Sequence, residues 1–309
     1  MENFVVIDLG SNSVRMTITK INDDSSFETV TQMKEYVRLS ANMGPKHELQ
    51  PAAVDRTIRA LKKFKTVYDQ VADRQLIAVA TAAVRQASNQ KKFLKRVREE
   101  LGLELHVISG TEEARYDYIG VTHTLPTRNC IILDTGGGSA ELALVEAGRA
   151  KNLISIPLGS VTLSQRFLEP DIITAKSLYE AMSFVNDIFN GVWWLRDGLN
   201  LPIVGLGGAN RTLAKIQRNT ENFRNFEDIH GYRISSAQVS AIFSGLLNLD
   251  LNGRKKVPGL SKERADIIIG GLIPLVLLMR FIDSDRVTFS NSGLREGILY
   301  EHLEQLGQH

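Results

Sequence analysis

The stretch that most restricts how this chain can fold is 131–142, which reads Ile-Ile-Leu-Asp-Thr-Gly-Gly-Gly-Ser-Ala-Glu-Leu. Its three leading apolar residues predict the end of a buried strand. The glycines allow a sharp turn whose backbone N–H groups can surround an anion. Asp134 is itself negative and cannot hold a phosphate, so its natural role is to bind a divalent cation that bridges to one.

The residues after the glycines decide which class of phosphate loop this is. In nucleotide folds built on GxxxxGK[ST] or GxGxxG, the glycines open a helix, and neither pattern occurs in this chain. Residues 140–148 are instead apolar and β-branched and end in a glycine, which is typical of a second strand. The stretch therefore predicts a strand–loop–strand hairpin.

The same pattern occurs near the N-terminus, where an apolar run leads into Asp8, Gly10 and the small polar residues Ser11, Asn12 and Ser13. Apolar and polar residues then alternate over 14–19, the period of a strand. One such turn would be an ordinary hairpin. Two copies with matching Asp and Ser positions indicate an internal duplication, with a phosphate loop in each half and the ligand between them.

Composition narrows the function classes. The 309 residues suit two domains, and a net charge of +2 argues against a nucleic-acid binder that relies on bulk charge. The single Cys130 cannot form an internal disulfide. The six His are scattered without metal-site spacing, which argues against a zinc site. No GxSxG motif sets up a serine nucleophile. The chain opens on strand residues without a signal-peptide pattern, and its longest apolar run is too short for a bilayer, so a cytoplasmic protein without a membrane partner is expected.

Taken in order, the first part of the sequence predicts β-β-β-α-β-α-β-α, and a similar series follows the second hairpin. The third strand is expected within 28–39, with its end at Arg38, and a strongly basic helix is expected from about Gln90 to Leu101. Thr111 is the expected cap of the next helix, and Ser261 that of a long buried helix. The seam is placed near residue 126. This gives domain I over 1–126 and domain II over 127–309, with the terminal helix 295–309 a candidate to pack back onto domain I.

Duplicated halves of this kind with paired Asp-Gly hairpins resemble the actin, Hsp70 and sugar-kinase superfamily, whose fold is a pair of actin-like, ribonuclease H-like α/β domains with an interdomain cleft. The resemblance is narrower to the exopolyphosphatase and guanosine pentaphosphate phosphohydrolase (Ppx/GppA) family, in its short two-domain form. It covers nearly the whole chain. It is carried by IDLGSNSVRM (7–16), TAAVRQASN (81–89), SGTEEAR (109–115), LDTGGGSAEL (133–142), LGSV (158–161), ERAD (263–266) and SGLREGILY (292–300).

The resemblance implies hydrolysis of a terminal phosphoanhydride and assigns Glu113 as general base toward water, with Glu112 as its nearest rival. Arg85, just past a strand end, is interpreted as a clamp that binds two phosphate oxygens. Candidate ligands of Mg²⁺ or Mn²⁺ are Asp8, Asp134 and Glu141. The residues expected to donate to phosphate are Gly10, Ser11, Asn12, Ser13, Gly136, Gly137, Gly138, Ser139 and Gly208.

Several alternatives stay open at this stage. The substrate is either inorganic polyphosphate or guanosine pentaphosphate, because both present a terminal phosphoanhydride to the same loops. An ATP-dependent kinase of the same superfamily would share both hairpins, and a non-catalytic nucleotide-binding protein of actin type would share the fold. A homodimer is compatible with the sequence. Arg264 with Asp266 is equally consistent with an internal ion pair and with a substrate contact.

Overall fold

The computed structural model describes residues 2–307 and divides them into two compact units. Unit 1 comprises the chain up to Gly120 together with the segment from Leu294 onward, and unit 2 comprises Val121–Gly293. The predicted seam near residue 126 lies slightly later than this division, which falls inside a helix. Leu125 at the end of that helix is buried in unit 2 and lies beside Gly231. The proline at 126 therefore follows a helix end and does not mark the division itself.

Unit 1 is built on a five-stranded sheet with the order β3-β2-β1-β4-β5. β1, β2 and β3 are antiparallel, and β1, β4 and β5 are parallel. The strands are β1 (Glu2–Leu9), β2 (Ser13–Ile21), β3 (Phe27–Tyr36), β4 (Arg74–Ala80) and β5 (His106–Val107), and the helices are α1 (Pro51–Tyr68), α2 (Ala82–Arg85), α3 (Gln90–Leu101), α4 (Gly110–Thr124) and the C-terminal α11 (Leu294–Leu306).

Unit 2 repeats this order and adds one strand. Its sheet runs β8-β7-β6-β9-β11-β10, with β6, β7 and β8 antiparallel, β6, β9 and β11 parallel, and β10 antiparallel to β11. The strands are β6 (Cys130–Thr135), β7 (Ala140–Glu146), β8 (Arg149–Ile156), β9 (Ile203–Leu206), β10 (Arg233–Ser235) and β11 (Arg286–Phe289), and the helices are α5 (Ser160–Phe167), α6 (Ala175–Gly191), α7 (Gly207–Thr220), α8 (Ser236–Leu247), α9 (Leu251–Arg254) and α10 (Ile268–Phe281), with 3₁₀ turns at Leu195–Gly198 and Lys262–Arg264.

The duplication extends to irregularities of the strands. A β-bulge interrupts the β2–β3 ladder between Ile18 and Thr19, and another interrupts the β7–β8 ladder between Leu144 and Val145. The two bulges lie at the same distance along the hairpin from Ser13 and Ser139. β-Bulges are specific structural features and not defects, so their matched positions support the origin of both hairpins by duplication of one hairpin. The predicted duplicated α/β fold of actin-like type is confirmed.

Each unit has its own hydrophobic core, and the cores explain the order of the elements. In unit 1, β1 is buried on both faces of the sheet. Its nearly continuous apolar sequence is typical of a strand that is covered on both sides. The larger core of unit 2 centres on α10, an almost wholly buried helix. No helix within residues 2–307 combines the length and apolar character needed to cross a bilayer.

The C-terminal helix α11 packs on unit 1 and fixes α4. Ile298 and Leu299 share a small core with Phe4 of β1. Gly297 permits a close contact, since a Cβ there would lie 2.0 Å from the Tyr116 carbonyl oxygen of α4. Glu301 of α11 accepts hydrogen bonds from Arg115 and from the Tyr116 hydroxyl of α4. Residues 308 and 309 of the predicted terminal helix lie outside the described residues.

Some local predictions were wrong for identifiable reasons. β3 ends at Tyr36, before the predicted end at Arg38, because the chain then turns toward the first hairpin. Ser261 precedes a 3₁₀ turn, and α10 begins only at Ile268. α4 is capped by Ser109, since Ser109 Oγ accepts from the Glu112 N–H and Glu112 Oε2 accepts from the Ser109 N–H. This reciprocal pair is a capping box.

Candidate active site

The first hairpin loop, Gly10–Ser13, is closed by its own backbone. The Gly10 N–H donates to the Ser13 carbonyl at 3.1 Å. Ser11, Asn12 and Ser13 are all buried. Neither the nitrogen nor the oxygen of the Asn12 side-chain amide has a hydrogen-bond partner. Because buried polar groups normally have hydrogen-bond partners, a buried amide without one beside a glycine turn is suited to bind a polar ligand.

Backbone carbonyls of this loop are held by residues 37–40, the strap. The N–H groups of Val37 and Arg38 both donate to the Asn12 carbonyl, at 3.1 and 2.9 Å, and Ser40 donates to the Ser11 carbonyl through its N–H at 3.0 Å and its hydroxyl at 3.3 Å. The strap therefore turns two loop carbonyls toward the protein. An anion-binding loop needs this orientation, because carbonyl oxygens repel phosphate while N–H groups attract it.

The second loop, Gly136–Ser139, has the same closing bond, from the Gly136 N–H to the Ser139 carbonyl at 3.0 Å. Here the loop carbonyls accept from the first turn of α5. Ser160 N–H donates to the Gly136 carbonyl at 2.9 Å, and Val161 N–H donates to the Gly137 carbonyl at 2.9 Å. These are helix N–H groups that have no partner within their own helix, so one arrangement satisfies both the helix and the loop.

Gly159 makes that arrangement possible. A Cβ at this position would lie 2.2 Å from the Gly137 oxygen and 2.4 Å from the Gly138 nitrogen. Both atoms belong to the backbone and cannot rotate away. The LGSV motif thus has a physical reason at its glycine: α5 can meet the phosphate loop only if this residue lacks a side chain.

The two hairpins differ in the residues that lie in register with their Asp. In unit 1, Asp8 is paired with Arg15 of β2, which is paired with Lys34 of β3. We call Asp8, Arg15 and Lys34 the unit 1 row. Residues directly opposite each other on neighbouring strands share a face of the sheet. The row therefore places two cations beside one carboxylate.

In unit 2 the corresponding row has the opposite charge. Asp134 is paired with Glu141 of β7, and Glu141 with Ser155 of β8. Glu141 is almost completely buried, and its Oε1 accepts from Ser139 Oγ at 2.7 Å and from Ser155 Oγ at 2.8 Å. Since Ser139 belongs to the loop, Glu141 fixes the hydroxyl of a predicted phosphate-binding residue. Both predicted carboxylates of unit 2 thus lie side by side on one face.

The N-terminus of α7 meets Asp134. Gly207 has φ +84°, and a Cβ there would lie 2.5 Å from Asp134 Oδ1, so glycine is required on grounds of both backbone and space. The positive end of a helix dipole favours negative charge. Gly208, a predicted phosphate contact, is covered by Arg264, whose Nη2 would lie 2.0 Å from an added Cβ. Its neighbour in the structure is therefore a guanidinium.

The predicted catalytic pair of unit 1 lies together. Arg85 Nη1, at the end of α2, donates to Glu113 Oε2 at 3.0 Å and to the Ile108 carbonyl at 3.0 Å. Both side chains are largely buried, with 22% and 12% of their side-chain surface exposed. A neighbouring cation favours the ionised form of a carboxylate, which is the form that a general base requires.

The structure also separates Glu113 from its neighbour in the sequence. Glu112 forms the capping box with Ser109. Hydrogen bonds with the side chain and with the backbone N–H of Ser109 lower the pKa of Glu112 below its usual value. Glu113 lies on another side of the helix, against Arg85. The two adjacent carboxylates thus have different surroundings, and only Glu113 meets a predicted substrate-binding residue.

The cysteine thiol and the clustering of potential metal ligands supply neither a nucleophile nor a preformed metal centre among residues 2–307. Burial raises the pKa of the Cys130 thiol to about 11, which is inconsistent with a nucleophilic thiolate. Within residues 2–307, no cluster of three or more His, Cys, Asp or Glu side chains has a geometry suited to a metal ion. The three carboxylates predicted as metal ligands are therefore distributed as one in the unit 1 row and two in the unit 2 row.

Sequence reasoning missed four contributors to these loops: Arg15, Ser155, Gly159 and the strap. Arg15 and Ser155 follow from the hairpin register once the turn length is known, so the alternating pattern contained a signal for them. Gly159 lay inside a motif that was recognised without a reason for its glycine. The strap depends on tertiary hydrogen bonds, for which the sequence carries no local signal.

Comparisons with known proteins show which family this sequence matches. The sequence model of the Ppx/GppA phosphatase family matches residues 17–306. Over 96% of its length the chain is 27% identical to a bifunctional 3-dehydroquinate synthase/phosphatase of Fusobacterium nucleatum, and it spans 46% of that protein, about half its length.

Two solved structures are similar over 98% of both chains. A Ppx/GppA family member from Aquifex aeolicus is 29% identical with a TM-score of 0.80. An exopolyphosphatase from Cytophaga hutchinsonii is 24% identical with a TM-score of 0.90. At that lower identity, the second likeness concerns the fold alone.

Proposed function

This chain belongs to the Ppx/GppA phosphatase family, and from that membership we propose that it is an exopolyphosphatase, which releases orthophosphate from the end of inorganic polyphosphate. The observation that carries the proposal is the contact between Arg85 and Glu113 at 3.0 Å. It joins a group that can bind phosphate oxygens with a carboxylate that can accept a proton from water. A kinase would have to direct the same carboxylate toward a substrate hydroxyl.

In the proposed reaction, Glu113 accepts a proton from a water molecule as the water oxygen attacks the terminal phosphorus. A P–O bond forms to water, the bridging P–O bond breaks, and the shortened chain leaves with that electron pair on its terminal oxygen. The loops Gly10–Ser13 and Gly136–Ser139 donate backbone N–H groups to phosphate oxygens, and Ser11 and Ser13 of the first loop add hydroxyl groups, whereas the Ser139 hydroxyl donates to Glu141. Such preorganised donors stabilise charge that develops in the transition state.

Asp134 and Glu141 would hold the divalent cation. The fit is chemical: carboxylate oxygens are the ligands that Mg²⁺ prefers, and Mg²⁺ is commonly bound by one or two carboxylates together with substrate phosphates. The unit 2 row supplies two carboxylates on one face. When bound, Mg²⁺ or Mn²⁺ would neutralise charge on the phosphate oxygens. Asp8, the third predicted ligand, lies in register with Arg15, and its role as a ligand stays a prediction.

The deciding experiment compares phosphate release from polyphosphates of defined length, guanosine pentaphosphate and ATP, each with and without Mg²⁺. Release from polyphosphate in preference to the two nucleotides supports the proposal. Preference for guanosine pentaphosphate would assign the alternative 5′-phosphohydrolase activity. ADP formation only when a second substrate with a free hydroxyl or carboxylate is present would indicate a kinase and contradict both phosphatase assignments.

A further inference from the structure

The strap donates hydrogen bonds to the carbonyls of Ser11 and Asn12, and Arg38 is the charged residue of the strap. The Arg38 N–H donates to the Asn12 carbonyl at 2.9 Å, while its own carbonyl accepts from the Ala41 N–H at 3.0 Å. Both backbone groups of Arg38 are therefore fixed. Its side chain begins one hydrogen bond away from a predicted phosphate loop.

The residues on either side hold Arg38 in place. Val37 and Leu39 are buried in the unit 1 core, and Ser40 is buried against Ser11. Arg56 of α1 adds a hydrogen bond from its Nε to the Val37 carbonyl at 3.1 Å. Arg38 itself is only half-buried. A half-buried arginine between anchored neighbours has a preorganised backbone, so little freedom is lost when its guanidinium binds a ligand.

Arg38 also has an unfavourable backbone conformation. Its φ is +46°, in the left-handed region that glycine, asparagine and aspartate adopt most easily. Other non-glycine residues with positive φ include Ser25, Asn42 and Asp73, which are short side chains in exposed turns. Residues held in such regions are concentrated at binding and catalytic sites, where the surrounding structure enforces them. A glycine at position 38 would fit the backbone better, so this arginine is a candidate for a role that its side chain performs.

From these observations we infer that Arg38 is a further substrate-binding residue, whose guanidinium binds the phosphate held by the Gly10–Ser13 loop. Arg85 is already shared between Glu113 and the Ile108 carbonyl, and a chain of phosphates carries more negative charge than one guanidinium balances. Arg38 contributes a second fork of donors to the same unit. The inference rests on the proposed function for the nature of the ligand, an inorganic phosphoanhydride.

The test uses the left-handed backbone to separate charge from folding. Arg38→Gly removes the guanidinium and relieves the backbone, so the melting temperature should stay the same or rise. Asn42→Gly is the matched control, because Asn42 has φ +58°, is exposed, lies just beyond the strap and carries no charge. Arg38→Lys keeps the charge and loses the planar fork.

Each variant is assayed for phosphate release from tripolyphosphate in Mg²⁺, for tripolyphosphate binding by calorimetry, and for thermal unfolding. For Arg38→Gly we expect KM and Kd to rise about 10- to 100-fold, the range for losing hydrogen bonds to a charged group, with an unchanged or higher melting temperature. Arg38→Lys should be intermediate, and Asn42→Gly should bind like the wild type.

Two results would overturn the inference. One is a Kd of Arg38→Gly within about twofold of that of Asn42→Gly, judged against the tenfold change that a lost charged hydrogen bond would give. The other is weaker binding accompanied by a lower melting temperature, which would make Arg38 a structural residue. If the wild type binds tripolyphosphate without releasing phosphate from it, the proposed function is wrong, and the calorimetric comparison still decides the role of Arg38.

Discussion

The two hairpins of this protein share their geometry and differ in charge. Each has an Asp at the end of its first strand, a closing bond from the first loop glycine to the loop serine, and a bulge at the same place beyond the turn. The rows in register with the Asp are Asp8, Arg15 and Lys34 in unit 1, and Asp134, Glu141 and Ser155 in unit 2. One row has a net positive charge and the other a net negative charge.

This difference shows how a duplicated hairpin can acquire two tasks. The loops retain the amides that attract phosphate, and that property depends only on backbone shape. The row behind each loop is free to change, because a substitution on a strand face leaves the ladder hydrogen bonds intact. The positive row of unit 1 suits direct neutralisation of phosphate. Under the proposed function, the negative row of unit 2 would hold a metal ion that performs the neutralisation instead.

The loops also differ in how they are supported, although the support comes from the same place in the order of elements. In both units it is the segment just after the third strand: the strap after β3 and the start of α5 after β8. The strap uses backbone N–H groups and the Ser40 hydroxyl. α5 uses the N–H groups of a helix N-terminus, which adds a partial positive charge near the loop. The second arrangement requires Gly159, and the first tolerates side chains.

The largest effect expected in this comparison is the loss of the base, which only unit 1 supplies. Glu113→Gln should lower kcat by about 10²–10⁴-fold, because an amide cannot accept the proton of the attacking water. Tripolyphosphate binding should persist. The measurement is single-turnover phosphate release alongside calorimetric binding. The matched control is Glu112→Gln, which keeps an acceptor for the Ser109 N–H in the capping box and should retain most activity; a dead Glu112→Gln with an active Glu113→Gln would show that the other carboxylate is the base.

The next effect contrasts the two supports. Gly159→Ala places a methyl group 2.2 Å from the Gly137 oxygen, so the loop must move. A displacement of about 1 Å in a catalytic loop can cost about 100-fold in rate, and we expect a loss of that size in kcat/KM. Ser40→Ala removes one of two bonds to the Ser11 carbonyl and should cost about 1 kcal/mol of stability with little loss of activity. Equal losses in both variants would refute the asymmetry of the supports.

The third effect addresses the charge difference itself. Activity should require Mg²⁺ or Mn²⁺ and vanish when the metal is chelated. In Asp134→Asn the Mg²⁺ concentration for half-maximal activity should rise by at least about tenfold, the lower end of what loss of an outer-sphere partner costs a metal site. Asp8→Asn should raise that concentration less than Asp134→Asn does, since a cation, Arg15, lies opposite Asp8 and a second carboxylate, Glu141, lies opposite Asp134. A metal titration of both variants measures the contrast, and full activity in excess chelator would remove the metal from the mechanism.

Both hairpins could be predicted from the sequence, because the patterns that determine them lie within short stretches of the chain. The Asp-x-Gly pattern, the strand alternation after it and the second copy together predicted both hairpins, and α3 has the predicted bounds. Periodicity and turn residues determine such elements over short windows. The carboxylate next to Arg85 was identified through a motif, and the structure supplies its physical setting.

The remainder depends on contacts between distant parts of the chain. The left-handed Arg38, the contact of Gly159 with Gly137 and the covering of Gly208 by Arg264 join segments far apart in sequence. No local pattern distinguishes an arginine held in a strap from one on a surface strand. The predicted end of β3 was wrong for this reason: Val37 and Leu39 continue the alternating pattern of a strand, and the hydrogen bonds from the N–H groups of residues 37 and 38 to the Asn12 carbonyl divert the chain.

The smallest effect tests the outer member of the unit 2 row. Ser155→Ala removes one of the two hydroxyl groups that donate to Glu141, at 2.8 Å, and leaves the bond from Ser139. Because a hydrogen bond to a buried carboxylate is worth about 1.5–3 kcal/mol and Ser155 is only half-buried, we expect about 1 kcal/mol of lost stability. Glu141 should then hold Ser139 less firmly, and KM should rise by about threefold as a result. Urea unfolding and steady-state assays measure the two effects. Ser26→Ala on the exposed turn of unit 1 is the control for hydroxyl loss. A Ser155→Ala protein with unchanged stability and KM would show that Ser155 does not help to fix Glu141.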